Sequence, residues 1–364
     1  MASFKIIIKR TISMYNTNIK NLLTWYSRNR REMPWRKTQD PYKIWISEIM
    51  LQQTQVKTVI PYYKKWIKKY PTINHVVCAS EKTLLKSWEG LGYYRRCRNF
   101  HTASKIVENK FDGIPPSDYQ IFKSLPGVGD YTASAVMSIC FNEFYPVLDA
   151  NVKRVLARIM KIKKFTAKNI IRIKKTLDLW ISAVNNPGDF NQAMMELGSQ
   201  ICIPKKPNCL NCPLSDLCLA FITKSPEKYP AQLKLKKIPT YDVSVGIIWD
   251  NDKFYIQRRE NKLHLGGMWE LPGGKRKLNE RLDTTVAREI QEECNIKVIV
   301  KSQAGFVKHQ YTHFKINLSA YHCNLSNGNS IPITKNTKWI KQKDINSFPF
   351  PKATLKIFDQ SLSC

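Results

Sequence analysis

LPGVGDYTASA, residues 125–135, sets two glycines in a short turn directly ahead of a helical run. Such a turn feeding a helix start aims backbone N–H groups at an anion, a way of gripping phosphate without sequence preference. An ordinary interhelical turn carries the same residues. On both sides the pattern stays helical. Apolar residues recur at three- and four-residue spacing in VIPYYKKWIKKY (59–70), TLLKSWEGL (83–91), TASAVMSI (132–139) and VKRVLARIMKI (152–162), punctuated by Pro and Gly. Residues 15–223 therefore predict an all-α domain.

Near the end of that domain, Cys202, Cys209, Cys212 and Cys218 stand in a C-x6-C-x2-C-x5-C arrangement. Four thiolates this close can enclose one metal centre, either structural zinc or a [4Fe-4S] cluster, and spacing alone leaves both open. Crowding four of ten cysteines into this stretch argues for a reducing compartment rather than a disulfide framework. Lys205 and Lys206 add positive charge to the loop, suited to a phosphate backbone.

The Pro- and Lys-rich segment 224–239 lacks a sustained apolar face and predicts a linker. Beyond it, YDVSVGIIW (241–249), KFYIQRR (253–259) and FKINLSAYHC (314–323) are β-rich, around one helical stretch, TTVAREIQEECN (284–295). Residues 240–364 thus predict a mixed α/β domain, making the chain multidomain.

The formal charge is +31. Residues 1–223 hold 35 Lys and Arg against 15 Asp and Glu, and residues 240–364 hold 19 against 12. A polyanion such as nucleic acid is the expected partner of the first part. No apolar run approaches bilayer length, so no membrane association is expected. The first acid is Glu32, and an acid-poor start suits a transit segment or initiation at Met14.

WISEIMLQQTQV (45–56) places one acid, Glu48, in an uncharged and largely apolar run. On a helical wheel it shares a stripe with Gln52 and Gln55, flanked by Ile44 and Leu51, a setting that keeps a carboxyl protonated near neutral pH. Asp149, in PVLDANVKRVL, precedes an amphipathic helix and is placed to be its N-cap.

With the hairpin and the cysteine cluster, the segments DPYKIWISEIMLQQTQV, GLGYYRR, LDANVKRVLAR and FNQAMMELG resemble the MutY adenine glycosylases of the helix-hairpin-helix, or endonuclease III, superfamily. The resemblance covers nearly all of residues 20–223. It implies a helical DNA glycosylase fold, a [4Fe-4S] cluster on the four cysteines, and removal of adenine mispaired with 8-oxoguanine or guanine in duplex DNA, by a monomer. Breaking an N-glycosidic bond needs an acid for the leaving base and an anion for the sugar cation. By resemblance Glu48 is that acid, Asp149 stabilises the cation, Tyr131 and Asn151 are their polar partners, and Arg36 and Glu196 belong to the adenine pocket. Tyr131 stands where a strand-cleaving relative needs an amine, so base removal without efficient strand cleavage is expected.

The adenine must leave the duplex. The resemblance assigns Gln53, Thr54, Leu91 and Tyr93 to filling or wedging the gap, and Gly127, Val128 and Gly129 to the DNA backbone. Arg95, Arg96 and Arg98 follow as candidate phosphate contacts. Such a protein works on DNA in the cytoplasm of a bacterium, or in the nucleus or mitochondrion of a eukaryote.

MWELPGGKRKLNERLDTTVAREIQEECNI (268–296) resembles the Nudix box of MutT-type hydrolases through Gly274, Glu280, Arg288, Glu289, Glu292 and Glu293, with Asn295 at the usual later Gly. Glu289, Glu292 and Glu293 share one helix face and can hold Mg2+ against a diphosphate. In the MutY family a MutT-like domain reads 8-oxoguanine, generally without hydrolysis, and the matching reading loop here is Tyr311, Thr312 and His313. Two alternatives stay open: the second domain also hydrolyses nucleotides such as 8-oxo-dGTP with Mg2+, or the protein binds lesions without catalysis.

Overall fold

The computed structural model describes residues 17–231, 238–260, 265–326, 331 and 333–362. The candidate transit segment, Met14 and linker residues 232–237 lie outside them. The chain divides into two compact units: Met1–Val77 with Asn99–Lys234, and Cys78–Arg98 with Leu235–Cys364. Residues 78–98, expected within the helical domain, thus group with the second unit.

The first unit is helical. After α1 (residues 17–29) and a 3-10 turn at Pro34–Lys37 comes α2, Pro41–Leu51. Asp40 starts α2 by accepting from Tyr42 N at 3.0 Å and Lys43 N at 3.3 Å, with Pro41 at the first helical position. A helix apolar on nearly every side belongs in a core, and Tyr42 through Met50 are buried apart from Lys43. Trp45 sits edge-on to Phe100 and Phe122, with centroids 4.7 and 5.2 Å away.

Contrary to the helical-wheel expectation, α2 stops at Leu51. Gln52 leaves the helical region with φ −56° and ψ 113°, Gln53 has φ 57°, and Gln55 precedes the next helix, α3 (Val56–Lys69). Gln52 and Gln55 therefore share no stripe with Glu48. Gln52 instead donates to Thr132 Oγ1 at 3.3 Å.

Further along are α4 (Ile73–Cys78), α5 (Glu81–Trp88, which belongs to the second unit), α6 (Arg95–Phe111) and α7 (Tyr119–Lys123). The hairpin turn then leads into α8 (Asp130–Phe141). Gly127 has φ +82°, and a Cβ there would lie 2.8 Å from Asn99 Cβ, so glycine is required twice over. Gly127→Ala is expected to cost about 1–3 kcal/mol of stability, read from the denaturation midpoint, and to weaken binding to undamaged duplex.

α8 packs against α2, α7 and α11 and buries the small residues Ala133, Ser134 and Ala135. α9 (Ala150–Ile159), α10 (Ala167–Ile181) and α11 (Pro187–Gln200) bury Val152, Val155, Leu156, Ile173, Leu177, Trp180 and Leu197 with α1 residues in one core. Ala150, where the resembling family usually has Gly, simply opens α9. The cysteine loop and short α12 (Leu219–Ile222) follow. No described helix is long and apolar enough to cross a membrane.

In the second unit the described strands form a mixed sheet, ordered β3-β2-β1-β6-β5, with β4 on β1 and β7 on β2. The strands are β1 (Thr240–Asp250), β2 (Lys253–Arg258), β3 (Trp269–Glu270), β4 (Gly273–Lys275), β5 (Val298–Gln310), β6 (Lys315–Leu325) and β7 (Thr337–Lys341). Only β1 and β6 pair in parallel. Alternation along β1 sends Val245 and Ile247 to one face and Ile248 to the other. The second face takes α13 (Leu282–Cys294) through Val286 and Ile290. The first takes α14 (Lys352–Ser361) through Ile357 and Phe358, a helix the sequence pattern did not disclose. Asn295 ends α13 at φ 55°, a left-handed conformation that asparagine tolerates in glycine's place.

Candidate active site

A cavity of about 430 Å3 in the helical unit is lined by Arg36, Glu48, Thr54, Tyr131, Asp149, Asn151 and Glu196, among others. They come from the 3-10 turn, α2 and the turn after it, α8, α9 with its cap, and α11. The structure thus gathers seven predicted residues that are up to 160 positions apart.

Glu48 is 4% exposed, and its Oε2 accepts a 2.6 Å bond from the Tyr131 hydroxyl. Burial pushes its carboxyl up to about 7. The Tyr131 bond pulls it down, the Asp149 charge raises it, and Arg36 lowers it. Burial and the facing Glu48 raise the Tyr131 phenol well above its ordinary value, so it stays a neutral donor. Tyr131→Phe removes the bond that favours the carboxylate. The descending limb of the rate against pH is expected to move to higher pH, with about a tenfold or smaller loss of rate below the limb.

Asp149 caps α9, Oδ1 accepting from Val152 N at 2.7 Å, while Oδ2 accepts from Asn151 Nδ2 at 2.9 Å. Asn151 Oδ1 in turn accepts from Arg154 Nη2 at 2.9 Å, and Arg154 also holds the carbonyls of Gly198 at 2.7 Å and Cys202 at 2.8 Å. Gly198 makes this packing possible, since a Cβ there would lie 2.6 Å from Asn151 Cβ. The carboxylate is therefore held by a relay of bonds.

Glu196 is buried at 1% exposure, which alone would raise its carboxyl. Bonds from Arg31 at 2.6 Å and Arg36 at 2.7 Å outweigh that and hold it at about 2. Arg31 also reaches Ser199 Oγ at 2.7 Å. Sequence reading missed Arg31. Its only signal was the basic run NRREMPWRK, which solvated arginines also produce.

Other predicted residues lie outside this cavity's lining. Gln53 is exposed on its left-handed turn, Leu91 and Val128 are buried at 6% and 8%, and Gly127 and Gly129 are exposed at the hairpin. Arg96 donates to the carbonyls of Leu91 and Gly92, and Arg98 to that of Gly266, which leaves Arg95 exposed.

Cys202, Cys209, Cys212 and Cys218 form no disulfide and line one small cavity with Arg158. Burial pushes Cys212 up to about 12 and raises Cys209 and Cys218, so a cationic centre would be needed to hold them as thiolates. Among the described residues no three His, Cys, Asp or Glu side chains are placed to hold a single ion.

In the second unit, Arg288 joins Glu280 at 2.7 Å, Glu289 at 2.8 Å and Glu292 at 2.9 Å. Glu293 accepts from Gln257 Nε2 at 2.7 Å and Gly273 N at 3.2 Å. The three candidate Mg2+ carboxylates are thus engaged by internal donors. Tyr311 packs edge-on to His309, centroids 4.7 Å apart, while Thr312 and His313 are exposed. Within this same unit, the Tyr93 hydroxyl hydrogen-bonds Thr312 Oγ1, joining a predicted wedge residue to the predicted reading loop.

Compared with known proteins, residues 46–180 match the helix-hairpin-helix superfamily of base excision DNA repair proteins, and residues 244–360 match the NUDIX domain. The chain is 34% identical to the adenine DNA glycosylase of Buchnera aphidicola subsp. Schizaphis graminum, over 93% of this chain and 96% of that protein. It is 30% identical to the adenine DNA glycosylase of Homo sapiens, over 93% of this chain and 72% of that one. Among solved structures, a thermostable thymine-DNA glycosylase aligns at TM-score 0.54 and 29% identity, covering 58% of this chain and 99% of that one. An endonuclease III trapped on DNA aligns at TM-score 0.50 and 21% identity, covering 58% and 98%, a likeness of fold.

Proposed function

The chain belongs to the adenine DNA glycosylases, hydrolases of N-glycosyl bonds, and from that membership we propose that it removes adenine mispaired with 8-oxoguanine or guanine in duplex DNA. It acts as a monomer and leaves an abasic site in an uncut strand. Residues 15–223 carry base removal, 240–364 read the opposite base, and 224–239 join them. The observation that carries the reading is the buried Glu48, bonded to Tyr131 at 2.6 Å in one cavity with Asp149.

Glu48, part protonated near neutral pH, gives its proton to the leaving base, and adenine departs neutral. The Asp149 carboxylate, fixed by Val152 N and Asn151, faces the oxocarbenium that remains. Water then adds to the sugar, its proton passing to the Glu48 carboxylate. Tyr131 offers no amine for a Schiff base, which supports base removal without strand cleavage. Arg36 and Glu196 hold the pocket's polar edge, while Gln53, Thr54, Leu91 and Tyr93 manage the vacated duplex, and Gly127, Val128 and Gly129 hold its backbone. Tyr311, Thr312 and His313 meet the 8-oxoguanine.

Cys202, Cys209, Cys212 and Cys218 are assigned to a [4Fe-4S] cluster. Four thiols lining one cavity, in a chain of this family, support that assignment. When bound, the cluster would cross-link the loop between α11 and α12.

The test incubates full-length protein with duplexes carrying A opposite 8-oxoguanine, G or T. Release opposite 8-oxoguanine and G, with strands intact until alkali, is expected. No release from any of them, or equal release opposite T, overturns the reading. The second unit's near-complete Nudix carboxylate set motivates one rival reading, an Mg2+-dependent hydrolase. Release of pyrophosphate from 8-oxo-dGTP above a Glu292→Gln control would establish it. The engagement of Glu289 and Glu292 by Arg288 supports no release.

A further inference from the structure

Arg158, on α9, is 2% exposed, and its whole guanidinium is engaged. Nη1 meets Cys202 Sγ at 3.2 Å and donates to Ile203 O at 2.7 Å, and Nη2 donates to Pro204 O at 2.8 Å. Nε is shared between Pro226 O at 3.0 Å and Tyr229 O at 3.1 Å. Three acceptors therefore belong to the first cysteine and the two residues after it, and two lie on the chain leaving the helical unit. Further contacts fasten that chain: Lys206 N donates to Glu227 Oε1 at 2.6 Å, Ala231 N donates to Lys163 O at 2.9 Å, and the Lys161 ammonium lies 5.8 Å from the Tyr229 ring centre.

We propose that Arg158 makes residues 226–231 a strap whose hold depends on the metal centre carried by the four thiols. This rests on the metal reading above only in requiring that some metal be bound. A metal fixes Cys202 and Cys209, and with them both ends of the loop that presents the carbonyls of Ile203 and Pro204. A metal-bound thiolate is also an anion, the counter-charge that a buried guanidinium needs. Without the metal, the fork loses the position of three acceptors at once and cannot hold the other two in register. α9 keeps its own apolar anchors, Val152, Val155 and Leu156, so the loosening is confined to the loop and the strap.

Hydrogen exchange on the full-length protein, loaded and after chelator stripping, tests this. Amides at 226–231 are expected to lose about tenfold or more of their protection on stripping while the buried part of α10 keeps its own. Equal protection at 226–231 overturns the proposal. Should stripping also open α10, Glu227→Ala decides, a surface change that leaves every thiol in place. Coupling is reciprocal, so a loosened strap must weaken metal retention at equilibrium with a competing chelator, here by several-fold. Unchanged retention overturns it. Iron and sulfide assays on the same samples test the cluster reading separately: zinc in their place sinks that reading and leaves the strap to the exchange result.

Discussion

Glu48→Gln is expected to lower single-turnover adenine release by about 10²–10⁴-fold while leaving the fold intact. Gln preserves the volume and keeps an acceptor for the Tyr131 hydroxyl, but it has no proton to give. Wild-type rate should fall as pH rises through about 7, where Glu48 loses its proton, and the variant should show a low, flat profile. Wild-type stability falls with rising pH as well. A carboxyl whose folded value is raised from 4.5 to about 7 contributes fully below the unfolded value, and that contribution is lost as pH rises through about 7. The loss for wild type is on the order of 3 kcal/mol. Gln cannot ionise, so above pH 7 the variant should unfold at higher denaturant than wild type. A Glu48→Gln protein that excises adenine normally would remove Glu48 as the acid.

The burial of Glu48 was legible because a lone carboxylate in WISEIMLQQTQV needs a reason, and the Asp149 cap because a helix start needs one. The supposed Gln52 and Gln55 stripe was not a stripe, because α2 breaks at Gln53 without Gly or Pro to mark the break. Arg31 escaped notice for a different reason: its partner, Glu196, lies 165 positions away, and local pattern carries no such pairing. The grouping of residues 78–98 with the second unit is of that kind too. Within that unit Glu81 pairs with Arg258 at 3.0 Å, Glu89 Oε1 accepts from Phe350 N at 2.8 Å, and Tyr93 bonds Thr312. Periodicity found helices and strands, while the pairings that assemble the site are tertiary. Only the resemblance brought Tyr131, Asn151 and Glu196 into view beforehand.

Asp149→Asn separates two roles that one carboxylate combines. Asn caps helices about as well as Asp, so the bond to Val152 N survives and unfolding should shift by less than about 0.5 kcal/mol. What disappears is the negative charge facing the sugar cation. Removing one pre-oriented charge-stabilising group costs about 10²–10³-fold in the chemical step, and single-turnover release should fall by that much. The Asn151 amide, which donates to Asp149 Oδ2 at 2.9 Å, would then face an uncharged partner, its other end still held by Arg154. Asp149→Ala loses the cap as well, so about 1 kcal/mol of stability should go with the activity. If Asn and wild type release adenine at equal rates while Ala is merely unstable, Asp149 is a helix cap and the cation is stabilised elsewhere. If Asn is as slow as Ala but as stable as wild type, the charge does the chemistry and the cap holds it in place.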